Sequence, residues 1–353
     1  MSIAIITGAS GLVGSEAARL FSAKGLEIIG IDNDMRASFF GPEASTLKNK
    51  ANLSAEIKSY RHRDLDIRDG DAINALFSEF GESISVIVHA AAQPSHDWAS
   101  QDPVTDFSVN ATGTMILLEA LRHHCPEAVF LHMSTNKVYG DTPNRLPLIE
   151  AETRWEVDAS HPYAETGIDE SMSIDTSVHS FFGVSKGAAD LMVQEYGLNL
   201  GLKTVAFRCG CVTGPAHAGA VQHGFLAYLV QCAMKQQRYT IFGYKGKQVR
   251  DNISGSDLAE ALWQTYQSPK SGEVYNMGGG VYADCSVLEA ITICEEITGC
   301  KMAWSLDEIN RTGDHIWYVS DLRKFQADYP AWQPRQTIRS ILEQIIAAQD
   351  GQP

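Results

Sequence analysis

Short apolar runs alternate with longer amphipathic ones along the first part of the chain, and the alternation predicts strands and helices in turn. Ile3–Ile6, Leu26–Asp32, Ser85–His89, Ala128–Met133 and Thr204–Arg208 are brief apolar runs of strand length. Between them Leu12–Lys24, Ala72–Phe80, Thr112–His123 and Val184–Leu200 place apolar residues at helical spacing, and Gly25 ends the first of these helices. Such an order predicts an α/β fold with a doubly wound parallel sheet and helices on both faces. Beyond about Gly210 the rhythm loosens. Gly, Pro and aromatic residues become frequent, and the predicted helices Phe225–Gln236 and Cys285–Thr298 are separated by irregular segments. A smaller, interleaved C-terminal lobe is expected there. The helical pattern of Ser256–Tyr266 is expected to pack back on the first domain.

The first strand runs into Thr7-Gly-Ala-Ser-Gly-Leu-Val-Gly14, which opens a helix. Glycines here permit a tight turn and a close backbone approach to a pyrophosphate, while the helix start offers free N–H groups and a positive dipole end. The spacing, Gly8, Gly11, Gly14, is one residue longer than the usual dinucleotide fingerprint. Asp32 stands at the end of the second strand, where an acid accepts both ribose hydroxyls and repels a 2′-phosphate. The reading is a Rossmann-like domain that binds NAD in preference to NADP, with Arg36 as the one nearby cation. Residues 1–209 and about 243–268 are assigned to this domain, and about 210–242 and 269–353 to a substrate-binding lobe. Asp66, in Asp66-Ile-Arg-Asp69 after a further strand, is a candidate partner for the adenine amino group.

Composition narrows the partners. The 353 residues carry a formal charge of −15 and no Lys/Arg block, which argues against nucleic acid. No basic amphipathic stretch suits a membrane surface, and no apolar run approaches bilayer length. The seven cysteines (Cys125, Cys209, Cys211, Cys232, Cys285, Cys294 and Cys300) are scattered and include no CxxC pair. They read as reduced thiols, mostly buried as small hydrophobes, in a cytoplasmic protein. No metal-ligand spacing is present.

An ordered set of motifs then carries a resemblance. It comprises the Thr7–Gly14 turn, Asp32, Asp66–Asp69, His89-Ala-Ala-Ala-Gln93, Asn110, Ser134-Thr-Asn-Lys-Val-Tyr-Gly140 and Gly183-Val-Ser-Lys186. It continues through Arg208-Cys-Gly-Cys-Val-Thr-Gly-Pro215, Gly246-Lys-Gln-Val-Arg-Asp251, Tyr275-Asn-Met-Gly278 and Gly313-Asp-His-Ile. Over nearly its whole length the chain resembles the extended short-chain dehydrogenase/reductase family, the NAD-dependent sugar-nucleotide epimerases and dehydratases. Gln93-Pro-Ser-His-Asp-Trp98 and Gly167-Ile-Asp-Glu-Ser-Met-Ser-Ile174 are similar to a branch acting at C2 of CDP-sugars.

The resemblance implies that Gly8, Gly11, Leu12, Val13, Gly14, Asp32, Asn33, Asp66, Ile67, Ala90, Ala91, Ala92, Asn110 and Lys186 line the NAD. It implies that Gln93, Ser95, His96, Thr135, Asn136, Lys137, Phe182, Cys211, Arg250 and Arg311 line the nucleotide sugar. Thr135 matches the hydroxyl that bonds the reacting sugar oxygen. Lys186 matches the lysine that holds the nicotinamide ribose and lowers a neighbouring phenol's pKa. Arg250 matches an arginine near the phosphates, a task suited to its charged, bidentate fork. A homodimer is also implied, built on the apolar stripes of Thr112–His123 and Val184–Leu200.

The pattern breaks at one position. The family motif is Tyr-x-x-x-Lys, and here it is Phe182-Gly-Val-Ser-Lys186. A phenyl ring neither accepts nor gives the proton that hydride transfer at a carbinol requires. Three routes stand open: a substitute acid/base among Tyr163, Cys211 and His96, with Tyr163 preferred; relay through Thr135 and a water near Lys186; or binding without turnover. Two further departures are Cys211, where many relatives have Asn, and His315-Ile316, where an Arg often follows Gly-Asp, with Arg311 as a compensating cation. The expected activity is an NAD-dependent sugar-nucleotide epimerase. The rivals are a dehydratase or dehydrogenase/reductase on the same fold, or a non-catalytic binder of NAD or nucleotide sugar.

Overall fold

The computed structural model describes residues 2–217, 224–310 and 313–350. Seven strands form one sheet: β1 (Ile3–Thr7), β2 (Glu27–Ile31), β3 (Tyr60–Arg63), β4 (Ile84–His89), β5 (Val129–Thr135), β6 (Lys203–Cys209) and β7 (Glu273–Met277). Their spatial order is β7-β6-β5-β4-β1-β2-β3. The pairings from β3 through β2, β1 and β4 to β5 are all parallel. Strand order reverses between β1 and β4, which opens a crevice beyond their carboxyl ends, the place where open α/β sheets bind ligands.

Continuous apolar runs are what a sheet covered on both faces needs. Ile5, Ile29, Ile87 and Phe130 are fully buried, packed with Leu117 and Leu118 of a covering helix. Each such side chain contributes about 1.5–3 kcal/mol through burial. The helices that bear on the site are α1 (Leu12–Ala23), α2 (Gly70–Phe80), α3 (His96–Gln101), α4 (Gly113–His124) and α5 (Phe181–Leu198). Asp69 caps α2 by accepting from the Ala72 N–H at 3.0 Å.

Two helix starts differ from the hydrophobic reading. α5 begins at Phe181, so Phe182 and Lys186 share one helical face, one turn apart. In the C-terminal part, Cys285 lies in the short strand Asp284–Ser286, and the helix runs Val287–Thr298. Ser286 and Glu289 form a capping box there, and this fixes the start.

The chain divides into two compact units. One holds the chain up to Val138 with Phe181–Arg208 and Leu258–Tyr275; the other holds Tyr139–Ser180, Cys209–Asp257 and the chain from Asn276 on. Residues 139–180, counted above with the first domain, therefore fall in the second unit. Local bonds explain the difference. The hairpin strands Leu148–Glu150 and Trp155–Val157 are tied to the second unit by Trp155 N–H to the Lys247 carbonyl at 2.9 Å. Arg154 adds ion pairs to Asp284 and Glu289. The second unit has its own core, including Leu229, Val230, Cys294 and Leu342.

Candidate functional site: a dinucleotide turn and a lysine-bearing helix

Thr7 ends β1 and the chain turns at Gly8, whose φ of +65° suits glycine. A side chain there would also press within 2.8 Å of the Ala91 nitrogen. A Cβ on Gly14 would stand 2.1 Å from the Gly8 carbonyl oxygen, so α1 starts hard against the turn. Gly11 caps α1 without a side-chain acceptor for the first N–H groups. A bare helix start beside a turn that excludes side chains fits the pyrophosphate of a dinucleotide. Leu12, Val13 and Gly14 are the first residues of that helix.

Asp32 follows β2. Its carboxylate accepts from the Ser10 N–H and the Asp34 N–H, both at 2.9 Å, so the ribose acid is tied to the glycine turn. Asn33 is exposed beside it. The Arg36 guanidinium lies over the Phe40 ring at 4.8 Å, and burial lowers its pKa to about 10. Asp66 is held by its near neighbour Arg68, and their hydrogen bonds keep its carboxyl below the usual range. Ile67 is buried against Gly113. Ala90, Ala91 and Ala92 follow β4 half-buried, with the Ala90 N–H bonded to the Thr7 carbonyl and the Ala91 N–H to the Thr7 hydroxyl.

Thr135 ends β5, half-buried, and its hydroxyl accepts from the Lys137 N–H at 3.2 Å. Lys186 is 3% exposed, and its ammonium donates to the Met133 carbonyl at 2.6 Å, near the strand end that bears Thr135. Phe182 is buried, and the His96 ring meets it edge-on with centroids 4.9 Å apart. Tyr163 stands in the second unit, where its hydroxyl donates to Asp169 at 3.2 Å. Burial first, and then the Asp169 charge, push this phenol up, the wrong direction for a group that must accept a proton at neutral pH. The preference for Tyr163 as the substitute base loses its support here.

Several residues expected to line the ligands are buried and hydrogen-bonded within the first unit. Gln93 and Asn110 are buried: the Gln93 N–H donates to Asn110 Oδ1 at 2.9 Å. Asn110 Nδ2 donates to the Gln93 carbonyl, to Asp106 and to the Ser185 hydroxyl. Asn110 sits in the π-helical turn Ser108–Thr112, which aims its amide inward at α5. Ser95 is buried and caps α3 by accepting from the Trp98 N–H. Asn136 is buried and Lys137 half-buried in the turn after β5.

Sequence reasoning missed a buried clamp. Asp190, one turn after Lys186, pairs with Arg208 of β6 at 2.9 Å and accepts from the Ser134 hydroxyl at 2.5 Å. An acid on the inner face of α5, with Arg208 on the facing strand, was the available signal. His89, the first residue of the His89–Gln93 motif, ends β4. It is wholly buried between the Thr7 and Thr114 hydroxyls, at 2.7 and 2.9 Å. Burial, aided by the Lys186 charge, pushes it down to about 3. His132, its ring neighbour on β5, is driven well below its usual value by the same causes and by His89.

In the second unit, Arg250 is buried and its guanidinium pairs with Asp314 at 2.5 Å. Cys211 is half-buried in the short strand Cys211–Thr213. His315 is fully buried and bonds the Gly140 carbonyl at 2.9 Å, a packing role in place of a phosphate contact. Arg311 lies outside the described residues. Among the described residues, no group of three His, Cys, Asp or Glu could hold a metal ion, and no helix is long and apolar enough to cross a membrane.

The sheet order, the glycine turn and its helix define a Rossmann-type α/β protein. Residues 4–278 match the NAD dependent epimerase/dehydratase family, and the chain belongs to that family. It is therefore an NAD-dependent enzyme of the epimerase/dehydratase type. It is 28% identical to a CDP-paratose 2-epimerase of Salmonella typhi, covering 98% of this chain and 96% of that one. It is 25% identical to a dTDP-glucose 4,6-dehydratase of Escherichia coli, covering 97% and 91%. In fold it is similar to the UDP-glucose 4-epimerase of Thermus thermophilus, solved with NAD, with a TM-score of 0.79 at 24% identity over 99% and 100% of the two chains.

Proposed function

We propose that this enzyme inverts C2 of a CDP-sugar by transient oxidation to a ketone. The observation that carries the reading is the end-to-end similarity to a CDP-paratose 2-epimerase, which spans both units. When bound, NAD supplies the hydride acceptor and then the donor. The glycine turn and the start of α1 hold the pyrophosphate, and Asp32 takes the adenosine ribose hydroxyls. Lys186 holds the nicotinamide ribose and lends its positive charge to the reaction centre. Thr135 hydrogen-bonds the sugar oxygen that gains and loses its proton. Arg250, released from Asp314, binds the diphosphate. The ketone turns its other face before hydride returns, so no net redox change accumulates.

A dehydratase is the second reading, since that similarity is close behind. Loss of water needs an acid for the departing hydroxyl. The residues beside Thr135 are Asn136 and Lys137, with no carboxylic acid, which favours epimerisation. The test is to incubate the purified protein with CDP-paratose and follow products by NMR and mass spectrometry. The 2-epimer without NADH accumulation is expected. A product lighter by one water, or stoichiometric NADH, refutes the assignment.

The protein works as a homodimer through α4 and α5. Val184, Leu191 and Leu198 lie exposed at seven-residue spacing on α5, and Met115 is exposed on α4. Light scattering on a sizing column reads the mass directly, and a monomer at micromolar concentration refutes the pairing. The seven free thiols suit a reducing compartment such as the cytoplasm.

A further inference from the structure

The missing phenol leaves the proposed reaction without a proton acceptor, and His96 of the first unit lies beside the position it left. We propose that His96 is the catalytic acid/base, its imidazole standing in for the tyrosine hydroxyl absent at Phe182. This rests on the epimerase reading above and names the residue that completes it.

The geometry carries the case. Phe182 and Lys186 lie one turn apart on the buried face of α5, and Lys186 reaches the end of β5 that bears Thr135. The His96 ring meets the Phe182 ring at 4.9 Å between centroids with planes 65° apart. That contact puts the imidazole directly beside the ring that carries the phenol oxygen in the family motif. His96 is half-buried, as a group that meets both protein and substrate must be. The backbone before it is locked: Gln93 donates to the Ser95 carbonyl at 2.9 Å and to Asp106 at 2.7 Å, and accepts from the Ser95 N–H. A buried amide that fixes a loop in this way gives the next side chain a defined position.

The competing groups are placed otherwise. His89 and His132 are fully buried under the sheet end, and the Tyr163 hydroxyl is engaged by Asp169 at 3.2 Å. The elements packed on α3 are α5 and the helix Pro103–Phe107. Their titratable groups are Lys186, Asp190, Glu195 and Tyr196 on the one and Asp106 on the other, with Asp97 on α3 itself.

The step balances. The carbinol O–H proton passes to a ring nitrogen of His96 as the C–H bond breaks and its hydride leaves for the oxidised nicotinamide, and the C=O bond forms. On return the imidazolium gives the proton back to the oxygen as hydride adds to the opposite face of the carbon. Imidazole is a side chain that can both take and give a proton near neutral pH, so it suits both directions.

His96→Asn, Phe182→Tyr and the double variant test this on the full chain with its own bound NAD. With CDP-paratose, His96→Asn should lose at least about 100-fold in kcat, the scale of a positioned proton acceptor. KM, CDP affinity and NAD content measured by absorbance after denaturation should be unchanged. The wild-type rate should show a pH-dependent limb near neutral pH that is absent from the variant. The double variant should regain turnover, because a phenol beside Lys186 takes over the proton. Near-wild-type kcat for His96→Asn with the same pH limb overturns the proposal. So does turnover that appears only on introducing Phe182→Tyr. If no variant turns over CDP-paratose, the epimerase reading fails on its own, and NMR then decides on His96. The histidine Cε1–H signal lost in His96→Asn should shift when NAD and CDP-paratose are added together, and an unmoved signal overturns the assignment.

Discussion

Replacing Asp190 with alanine tests how the lysine-bearing helix is held. The Asp190 carboxylate is 1% exposed and the Arg208 side chain 6%. The carboxylate accepts from Arg208 at 2.9 Å, from Ser134 at 2.5 Å and from Gln194 at 2.6 Å. Alanine removes all of these and leaves a buried guanidinium without its carboxylate. Removing one partner of such a pair costs about 3–5 kcal/mol, because the surviving charge stays desolvated. In a unit of this size that lowers the melting midpoint by roughly 6–20 °C. Calorimetry on the NAD-free protein measures it. The companion variant, Asp190→Leu with Arg208→Met, removes both charges and should recover most of the loss. A functional readout accompanies the stability one. Asp190 lies one turn from Lys186, so Asp190→Ala should also release NAD more readily at a temperature where it remains folded. A midpoint within about 2 °C of wild type would refute the argument. So would a double variant as unstable as the single, since the cost would then lie in lost packing.

Asp32→Ala should weaken NAD binding by roughly 1–3 kcal/mol in a calorimetric titration, and equal affinity of the wild type for NAD and NADP would contradict the ribose assignment. Thr135→Val and Lys186→Met should each lower kcat by about 100-fold or more while the circular dichroism spectrum stays unchanged; full turnover on CDP-paratose would move the site elsewhere. Tyr163→Phe loses only a half-exposed bond to Asp169 and should keep more than half of wild-type kcat. Acid should destabilise the first unit through His89. Its pKa falls from about 6.5 unfolded to about 3 folded, so its contribution is intact above about 6.5 and drains by up to about 1.4 kcal/mol per pH unit down to about 3. His89→Gln should flatten that part of a urea-midpoint-against-pH curve, and an unchanged slope would place the acid sensitivity elsewhere.

The elements legible in the sequence are those whose pattern and chemistry agree. Ile3–Thr7, the glycine turn and Asp32 were readable because a buried parallel strand, a turn without side chains and a ribose acid each demand a narrow set of residues. β3, Tyr-Arg-His-Arg, lies at the sheet edge, where one side needs no apolar cover, and only the position of Asp66 hinted at it. The clamp of Asp190, Arg208 and Ser134 was hidden for another reason. Each residue alone resembles a surface group, and only the approach of three separate segments makes them partners. Asn110 and Gln93 were recognised as special, yet their motif could not tell a ligand contact from a buried brace. The loss of the phenol at Phe182 was plain and His96 was among the three candidates to replace it, but only the fold shows that its ring, remote in sequence, lies against Phe182.

The interleaving of the two units bears on how the chain is made. β6 enters the sheet long before its outer neighbour β7, and the intervening polypeptide builds part of the other unit. At about 5–20 residues per second of synthesis, the nascent protein holds the outer edge of β6 unpaired for several seconds. An open, apolar strand edge is a template for pairing with other chains. Expression yield should therefore respond to translation speed between Cys209 and Glu273, and to chaperones that shield strand edges, more than to the stability of the finished protein.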